Sequence, residues 1–125
     1  MKTLAMQNVK GNLGSVNLKV MPFHVYVIRL KEQVMESGRF AKANPDRNPL
    51  KPCVYVGSTA LTPEERYQKH LTAKSGSRLV KQWQEGLHKR LTANQPTFGT
   101  RKEAEAHEAA LAERLRKKGY AVWSR

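Results

Sequence analysis

The sequence predicts a small α/β domain of the α+β kind, in which helices flank a central, mainly antiparallel sheet of about three strands. Two runs rich in β-branched and aromatic residues, at residues 24–28 and 54–57, are typical of core strands. Helix-start signals follow at Thr62 and Thr100. A chain of 125 residues, 39% hydrophobic and 26% charged, has room for one core and is too short for two ordinary domains.

The chain before the first strand lacks a clear hydrophobic period. Residues 1–22 mix glycine, asparagine and lysine with isolated apolar residues, so we interpret them as an amino-terminal arm. This arm could include one short strand near residues 16–20. The first core strand is predicted at residues 23–30, and residues 23–125 are interpreted as a single domain.

The connection between the two core strands, residues 31–52, is far longer than the ~2–5 residues of an ordinary hairpin loop. It contains one glycine and three prolines, and residues 32–43 could form a short helix. We interpret it as an insertion that is functional or mobile and that can be removed without loss of the fold. Its basic residues are candidates for nucleic-acid binding: Lys31, Arg39, Lys42, Arg47 and Lys51.

The second strand, residues 53–57, leads through Ser58 and Thr59 into a helix with a clear beginning. Thr62 fits the N-cap, Pro63 fits the first helical position and Glu65 completes a capping box. The sequence therefore predicts a strand, a short turn and a helix in direct succession.

One side of this helix, which runs to about residue 73, carries Arg66 and His70. Residues four apart face the same side of an α-helix. Tyr67 and Leu71 supply the neighbouring apolar stripe.

Four further elements are predicted after this helix. A helix begins at Ser77 and has Trp83 and Leu87 in its core stripe, and a third strand follows at residues 88–93. A long helix then runs from Thr100 to about Lys118, with Gly119 as its stop, and a short strand follows at residues 120–123.

The long helix has a glutamate in the stripe that should face the core. At 100° per residue, Ala104, Glu108, Leu111 and Leu115 fall within about 60° of one another, whereas Glu113 lies on the opposite face. Burying a lone carboxylate is costly, so it needs a cation, a metal ion or several donors. A structural salt bridge and a functional role both stay open for Glu108, and the tyrosines of the two strands favour the functional role.

The net charge of +13 comes from 23 Lys and Arg against 10 Asp and Glu. Such an excess attracts polyanions, so nucleic acid is the expected partner, with an anionic membrane surface as a weaker alternative. No apolar run approaches the ~20 residues of a membrane span, and we expect an intracellular, cytoplasmic protein. Cys53, the only cysteine, is expected to be a buried strand thiol.

Short tyrosine motifs in both strands, followed by a helical arginine, resemble the GIY-YIG nuclease family. His24-Val25-Tyr26 stands where that family has Gly-Ile-Tyr, and residues 55–57, Tyr-Val-Gly, stand where it has Tyr-Ile-Gly. The resemblance covers about residues 23–123. It implies a GIY-YIG-like fold and an endonuclease that hydrolyses phosphodiester bonds with one divalent metal ion, Mg²⁺ or Mn²⁺.

The same resemblance implies a role for each matching residue. Tyr26 would be the general base or would orient the attacking water, with its phenolate favoured by nearby positive charge. Arg66 would stabilise the phosphate in the transition state. Glu108 would hold the metal ion, and Tyr55 and His70 would position the nucleophile or hydrogen-bond the phosphate.

Three details stay open at this point. Glu105 is the fallback metal ligand, because the local alignment could slip by one turn. Ser58 and Thr59 could hold a phosphate or merely form the turn. DNA is favoured over RNA as the substrate, and a protein partner is also conceivable.

A non-catalytic nucleic-acid-binding module and an adaptor whose insertion docks a protein are the alternative functions. An enzyme requires the Tyr26 hydroxyl, the Arg66 guanidinium and the Glu108 carboxylate to converge on one cleft. A binding module needs only a basic surface.

Overall fold

Five strands form one mixed sheet in this computed structural model, which describes residues 22–72 and 77–124. The prediction of about three strands was therefore too low, although the α+β class is correct. The strands are β1 (Phe23–Leu30), β2 (Cys53–Thr59), β3 (Gln84–Leu87), β4 (Thr97–Phe98) and β5 (Ala121–Ser124). The α-helices are α1 (Gly38–Ala43), α2 (Pro63–Thr72), α3 (Arg78–Trp83), α4 (Lys89–Ala93) and α5 (Arg101–Lys117), and a 3-10 helix spans Glu32–Glu36. The predicted arm and its strand near residues 16–20 lie outside the described residues.

The two predicted core strands are neighbours at the centre of the sheet. The strand order is β3-β1-β2-β5, and β4 pairs with the beginning of β1. The pairs that include β1 are antiparallel, and β5 runs parallel to β2. Tyr26 lies opposite Gly57 in the β1–β2 register. The β2–β5 register ends at Val56 opposite Ser124, so the last three residues of β2 extend beyond their described partner on that side.

The two faces of the sheet bury different side chains because residues alternate along each strand. One face is aliphatic and packs against α5. Its strand residues are Val25, Val27, Val54, Val56 and Val122. The other face carries the two motif tyrosines, which pack with side chains of the 31–52 segment, α2 and α3. Tyr26 and Tyr55 are therefore core residues on the same face.

Both predicted capping boxes begin helices, as expected. The Thr62 hydroxyl accepts a hydrogen bond from the Glu65 amide at 3.1 Å, and the Glu65 carboxylate accepts one from the Thr62 amide at 3.0 Å. The Thr100 hydroxyl accepts from the Glu103 amide at 3.1 Å. Gly119 follows the end of α5 with φ of +99°, a conformation that favours glycine, so the predicted stop is also confirmed.

The region after Ser77 differs from the prediction. The predicted helix ends at Trp83, which packs on the core as expected, and Leu87 belongs to strand β3 instead. Gly86 has φ of +110°, which a continuing α-helix does not allow. The predicted strand at residues 88–93 is helix α4, because the His88 side chain caps it by accepting from the Leu91 amide at 3.2 Å.

The 31–52 segment is part of the core, which corrects its interpretation as a removable insertion. Val34 and Phe40 are fully buried beneath the tyrosine face of the sheet. The Asn44 amide group bonds both the N–H (2.7 Å) and the C=O (3.1 Å) of Val122. The segment forms a 3-10 helix and α1, separated at Ser37, rather than one helix. Its deletion would therefore remove part of the core.

Three smaller predictions have mixed outcomes. Cys53 is a free and buried strand thiol, as predicted. Tyr67 packs on the core, but Leu71 is 36% exposed and does not continue its stripe. No helix within the described ranges is long and apolar enough to cross a bilayer.

Candidate active site

The Tyr26 hydroxyl is the centre of the candidate site. Strand β1 presents Tyr26 toward helix α2, where its oxygen lies 2.8 Å from Nε2 of His70. The ring also lies over Gly57 on the paired strand, and a Cβ atom at Gly57 would be 2.5 Å from the hydroxyl oxygen. Glycine at this position therefore creates the space that the tyrosine occupies.

Three rings form a triangle around this hydrogen bond. The ring centroids are 6.3 Å apart for Tyr26 and Tyr55, 5.9 Å for Tyr26 and His70, and 5.5 Å for Tyr55 and His70. All three side chains are at most 2% exposed. Their polar atoms are held by close packing, so the site is preorganised.

The Ser77 backbone fixes the protonation pattern of His70. Its N–H donates to Nδ1 of His70 at 3.3 Å, so the neutral ring carries its proton on Nε2 and donates it to the Tyr26 oxygen. Burial, together with the positive charges of Arg66 and Lys81, lowers the pKa of His70 to about 4, so the ring is neutral at physiological pH. The sequence marked Ser77 only as a helix start.

The electrostatics of Tyr26 differ from the expectation of a stabilised phenolate. Burial raises the pKa of its phenol above the ordinary value, and Tyr55 adds to the increase. The Arg66 guanidinium lowers the pKa of this phenol, but the effect of burial is larger. Tyr26 therefore keeps its proton at neutral pH.

Glu108 reaches the site from helix α5 and is buried, at 6% exposed. Its carboxylate accepts a hydrogen bond from the Ser58 hydroxyl at 2.8 Å, and its charge acts on Tyr26. Glu105, the fallback ligand, is exposed, so the helix register favours Glu108. Ser58 thus positions the carboxylate, whereas the Thr59 hydroxyl accepts from the Leu61 amide at 3.0 Å and forms the turn.

The five residues predicted as catalytic come from four separate elements. Strand β1 contributes Tyr26, β2 contributes Tyr55, α2 contributes Arg66 and His70, and α5 contributes Glu108. Tyr26, Tyr55 and His70 pack against one another, and the charges of Arg66 and Glu108 both act on the Tyr26 phenol. The structure therefore relates each of the five residues to Tyr26.

The basic residues predicted from the 31–52 segment do not gather in the same way. Arg47 forms an ion pair with Glu32 and donates to the Lys51 carbonyl at 2.8 Å, and its side chain is 7% exposed. This buried, paired guanidinium has a structural role, so we do not assign it to a nucleic-acid surface. Lys51 lies over the Tyr120 ring at 5.6 Å. The other three are exposed: Lys31, Arg39 and Lys42.

Glu108 is the carboxylate available to a metal ion at this site. Residues 22–72 and 77–124 contain no group of three or more His, Cys, Asp or Glu side chains arranged to hold a metal ion. A single carboxylate fits a hard ion such as Mg²⁺, which keeps several waters and uses substrate phosphate oxygens as further ligands.

No family model, curated protein or solved structure matches this chain.

Proposed function

We propose that this protein is a metal-dependent endonuclease of the GIY-YIG type that hydrolyses phosphodiester bonds in nucleic acid, with DNA favoured over RNA. The observation that carries the proposal is that Arg66 of α2 and Glu108 of α5 both act electrostatically on the Tyr26 phenol, and that Ser58, which holds Glu108, follows the Gly57 over which the Tyr26 ring lies. The order of two tyrosine strands followed by the Arg66 helix supports a GIY-YIG-like fold.

In the proposed reaction, a water oxygen bonds to phosphorus and loses a proton to solvent while the ester P–O bond breaks, and the departing oxygen takes up a proton from solvent. Arg66 stabilises the charge that develops on the phosphate oxygens. Tyr26 orients the water through its hydroxyl, since its raised pKa favours this role over that of a resting phenolate. Tyr55 and His70 hold Tyr26 in place.

Glu108 would hold the divalent ion, with Ser58 fixing the orientation of the carboxylate. When bound, Mg²⁺ or Mn²⁺ would supply Lewis-acid stabilisation of the phosphate and the departing oxygen.

A non-catalytic nucleic-acid-binding module is the second candidate. The observation in its favour is the burial of Tyr26 and His70, at 1% and 0% exposed, since hydrogen-bonded polar side chains in a core also have structural roles. Such a module would bind nucleic acid with the same net charge but would leave it intact.

The decisive experiment compares Glu108→Gln with Glu105→Gln. Labelled branched, single-stranded and duplex DNA and RNA are incubated with each variant and the unaltered protein in Mg²⁺ or Mn²⁺. We expect Glu108→Gln to abolish cleavage and to retain binding, because glutamine preserves an acceptor for Ser58 but weakens metal binding. Glu105→Gln removes the same charge from an exposed position of α5 and should remain active.

Cleavage by Glu108→Gln at the original rate would refute the assignment of the metal ligand. Absence of cleavage by the unaltered protein on every substrate, with tight binding retained, would favour the binding module.

A further inference from the structure

A second polar feature, here called the basic groove, lies away from the candidate active site. It is an open depression of about 430 Å³, and it is lined by Arg29, Lys51, His88, Arg90 and Tyr120 together with Glu32 and a proline-rich turn. Arg29 belongs to β1, Arg90 to α4 and Lys51 to the segment before β2. Three separate parts of the chain therefore place positive charge around one depression.

The two arginines of the basic groove are available to a ligand. Arg29 and Arg90 are both exposed, and neither takes part in an ion pair with another described residue. Glu32 is the acidic residue of the lining, and its carboxylate is held by Arg47 in a bidentate contact. The positive charge of the groove is thus not neutralised from within.

His88 adds a neutral donor to the lining. Its Nδ1 accepts from the Leu91 amide at 3.2 Å, so the neutral ring carries its proton on Nε2. Burial lowers the pKa of His88, and the charges of Arg29 and Arg90 lower it further, which agrees with a concentration of positive charge at this point.

The chemistry of this lining indicates a ligand with several phosphates. Guanidinium groups bind phosphate oxygens through paired N–H donors, and an imidazole N–H donates to the same acceptors. Three cations around an open depression exceed what one phosphate monoester would neutralise, whereas a polyphosphate backbone presents one charge per nucleotide.

We propose that the basic groove binds the sugar–phosphate backbone of a nucleic-acid strand, with Arg29 and Arg90 contacting successive phosphates and Lys51 and His88 contributing further contacts. The identity of this ligand rests on the proposed function, but its binding does not depend on catalysis. Arg29 lies three residues beyond Tyr26 on β1, about 10 Å along the strand and on the opposite face. A nucleic acid that occupies both places must therefore extend beyond the cleavage position.

The test measures affinity and salt dependence in a buffer with EDTA, where hydrolysis plays no part. Fluorescein-labelled DNA, as a 20-nucleotide single strand, a 20-base-pair duplex and a tetranucleotide, is titrated in rising KCl. The variants are Arg29→Ala/Arg90→Ala and a control of equal charge, Lys102→Gln/Lys117→Gln, whose two lysines are exposed on α5.

We expect the arginine variant to bind both long probes roughly tenfold more weakly and to reduce the log–log salt slope by about 2, one for each lost phosphate contact. The control should change the slope little. A conservative variant, Arg29→Lys/Arg90→Lys, retains charge and should retain most of the slope. The tetranucleotide carries enough phosphates to contact both arginines, so it should show the same reduction in slope.

Equal salt slopes for the arginine variant and the lysine control would refute the proposal that the basic groove binds nucleic acid. Failure of the unaltered protein to bind either long probe would also refute it. Melting temperatures are measured alongside, and Arg29→Gln/Arg90→Gln replaces the alanine variant if that variant does not fold. The outcome is independent of the cleavage assay. If the unaltered protein cleaves and the arginine variant keeps its salt slope, the proposed function stands and the basic groove is rejected. If the unaltered protein does not cleave and the arginine variant has a reduced slope, the basic groove stands and the proposed function is rejected.

Discussion

The candidate active site and the basic groove are built in opposite ways from residues of the same strand. Around Tyr26, side chains are buried, touch one another and share hydrogen bonds as short as 2.8 Å. Around Arg29, the two arginine side chains, Arg29 and Arg90, are exposed and form no ion pair among the described residues. Burial fixes the geometry that chemistry requires, whereas exposure leaves charges able to meet a polyanion.

This difference predicts a separation of roles between the two regions. Changes at the buried site should lower the rate of cleavage and leave affinity for nucleic acid nearly unchanged. Changes at the basic groove should lower affinity and its salt dependence and leave the rate at saturation nearly unchanged. Each of the following predictions would be wrong if the roles were mixed.

The largest expected effect is on Tyr26→Phe. Loss of the hydroxyl should lower the single-turnover rate by roughly 10²–10⁴-fold, the range typical of groups that position a proton transfer. Tyr55→Phe should cost less, because Tyr55 packs against Tyr26 and His70 rather than forming the central hydrogen bond. Single-turnover cleavage and DNA affinity of both variants check this.

Tyr26→Phe also leaves the Nε2–H of His70 without its acceptor, which should cost about 1–3 kcal/mol of stability. The rates are therefore compared at a temperature where both variants are folded, as judged by circular dichroism. Equal cleavage rates for Tyr26→Phe and the unaltered protein would show that both tyrosines have a purely structural role.

A smaller decrease in cleavage rate is expected for Gly57→Ala, which displaces the Tyr26 ring by a steric clash. The new Cβ would be 2.5 Å from the Tyr26 hydroxyl, so the ring must move. Displacement of a catalytic group by about 1 Å costs on the order of 10²-fold in rate, and overpacking costs about 1–3 kcal/mol of stability. Gly38→Ala is the control, because a Cβ there meets nothing within 4 Å. Similar rates for the two variants would contradict the steric argument.

The next prediction concerns the Ser77 amide, which holds the tautomer of His70. Ser77→Pro removes this N–H at a residue whose φ of −70° suits proline, and Ser77→Ala keeps it while removing the side-chain cap on Val80. Because both variants lose the cap, their difference isolates the amide. We expect Ser77→Pro to be about fivefold slower than Ser77→Ala, the equivalent of one hydrogen bond of ~1 kcal/mol.

Nitrogen-15 chemical shifts of the His70 ring report the tautomer independently of activity. The proton should lie on Nε2 in the unaltered protein and in Ser77→Ala, and Ser77→Pro should lose this preference. A proton found on Nδ1 in the unaltered protein would reverse the direction of the Tyr26–His70 hydrogen bond.

The last prediction concerns the dependence of stability on pH. Because the pKa of His70 is lowered to about 4 in the folded protein, the unfolded chain binds a proton first as the pH falls below about 6.5. The contribution of neutral His70 is therefore fully present above pH ~6.5 and is lost progressively toward pH ~4. His70→Gln removes this titration.

The decrease in melting temperature from pH ~7 to pH ~4.5 should consequently be larger for the unaltered protein than for His70→Gln. Acidic groups and other histidines contribute equally to both, so the comparison isolates His70. An equal decrease in the two proteins would show that this ring titrates normally.

Local signals in the sequence predicted much of the site. The capping boxes at Thr62 and Thr100 placed α2 and α5, and helical spacing placed Glu108 on the buried stripe. Runs rich in β-branched and aromatic residues placed Tyr26 and Tyr55 on two strands. These predictions succeeded because hydrogen bonds within one turn and the periods of helices and strands act over a few residues.

Other features depended on residues far apart in the chain. The 31–52 segment was interpreted as removable because its prolines and charged residues are typical of a loop. Its two core side chains, Val34 and Phe40, pack against residues of the sheet that are distant in the sequence. Arg47 was interpreted as a phosphate ligand because its partner, Glu32, lies 15 residues away. Strand β3 was not predicted because Gly86 has no side chain to contribute to the alternation of apolar and polar residues that is typical of a strand.

The sequence by itself determined the tyrosine strands, the helix that carries Arg66 and His70, and the inward position of Glu108, since each depends on local periodicity. Tertiary structure alone decided that Gly57 makes room for the Tyr26 ring, that Ser77 sets the tautomer of His70, and that burial outweighs Arg66 in the pKa of Tyr26. It also brought Arg29 and Arg90 together across 61 residues of chain, from elements with no common local pattern. Steric exclusion, desolvation and the summed field of distant charges depend on distances in space, which short-range sequence patterns do not specify.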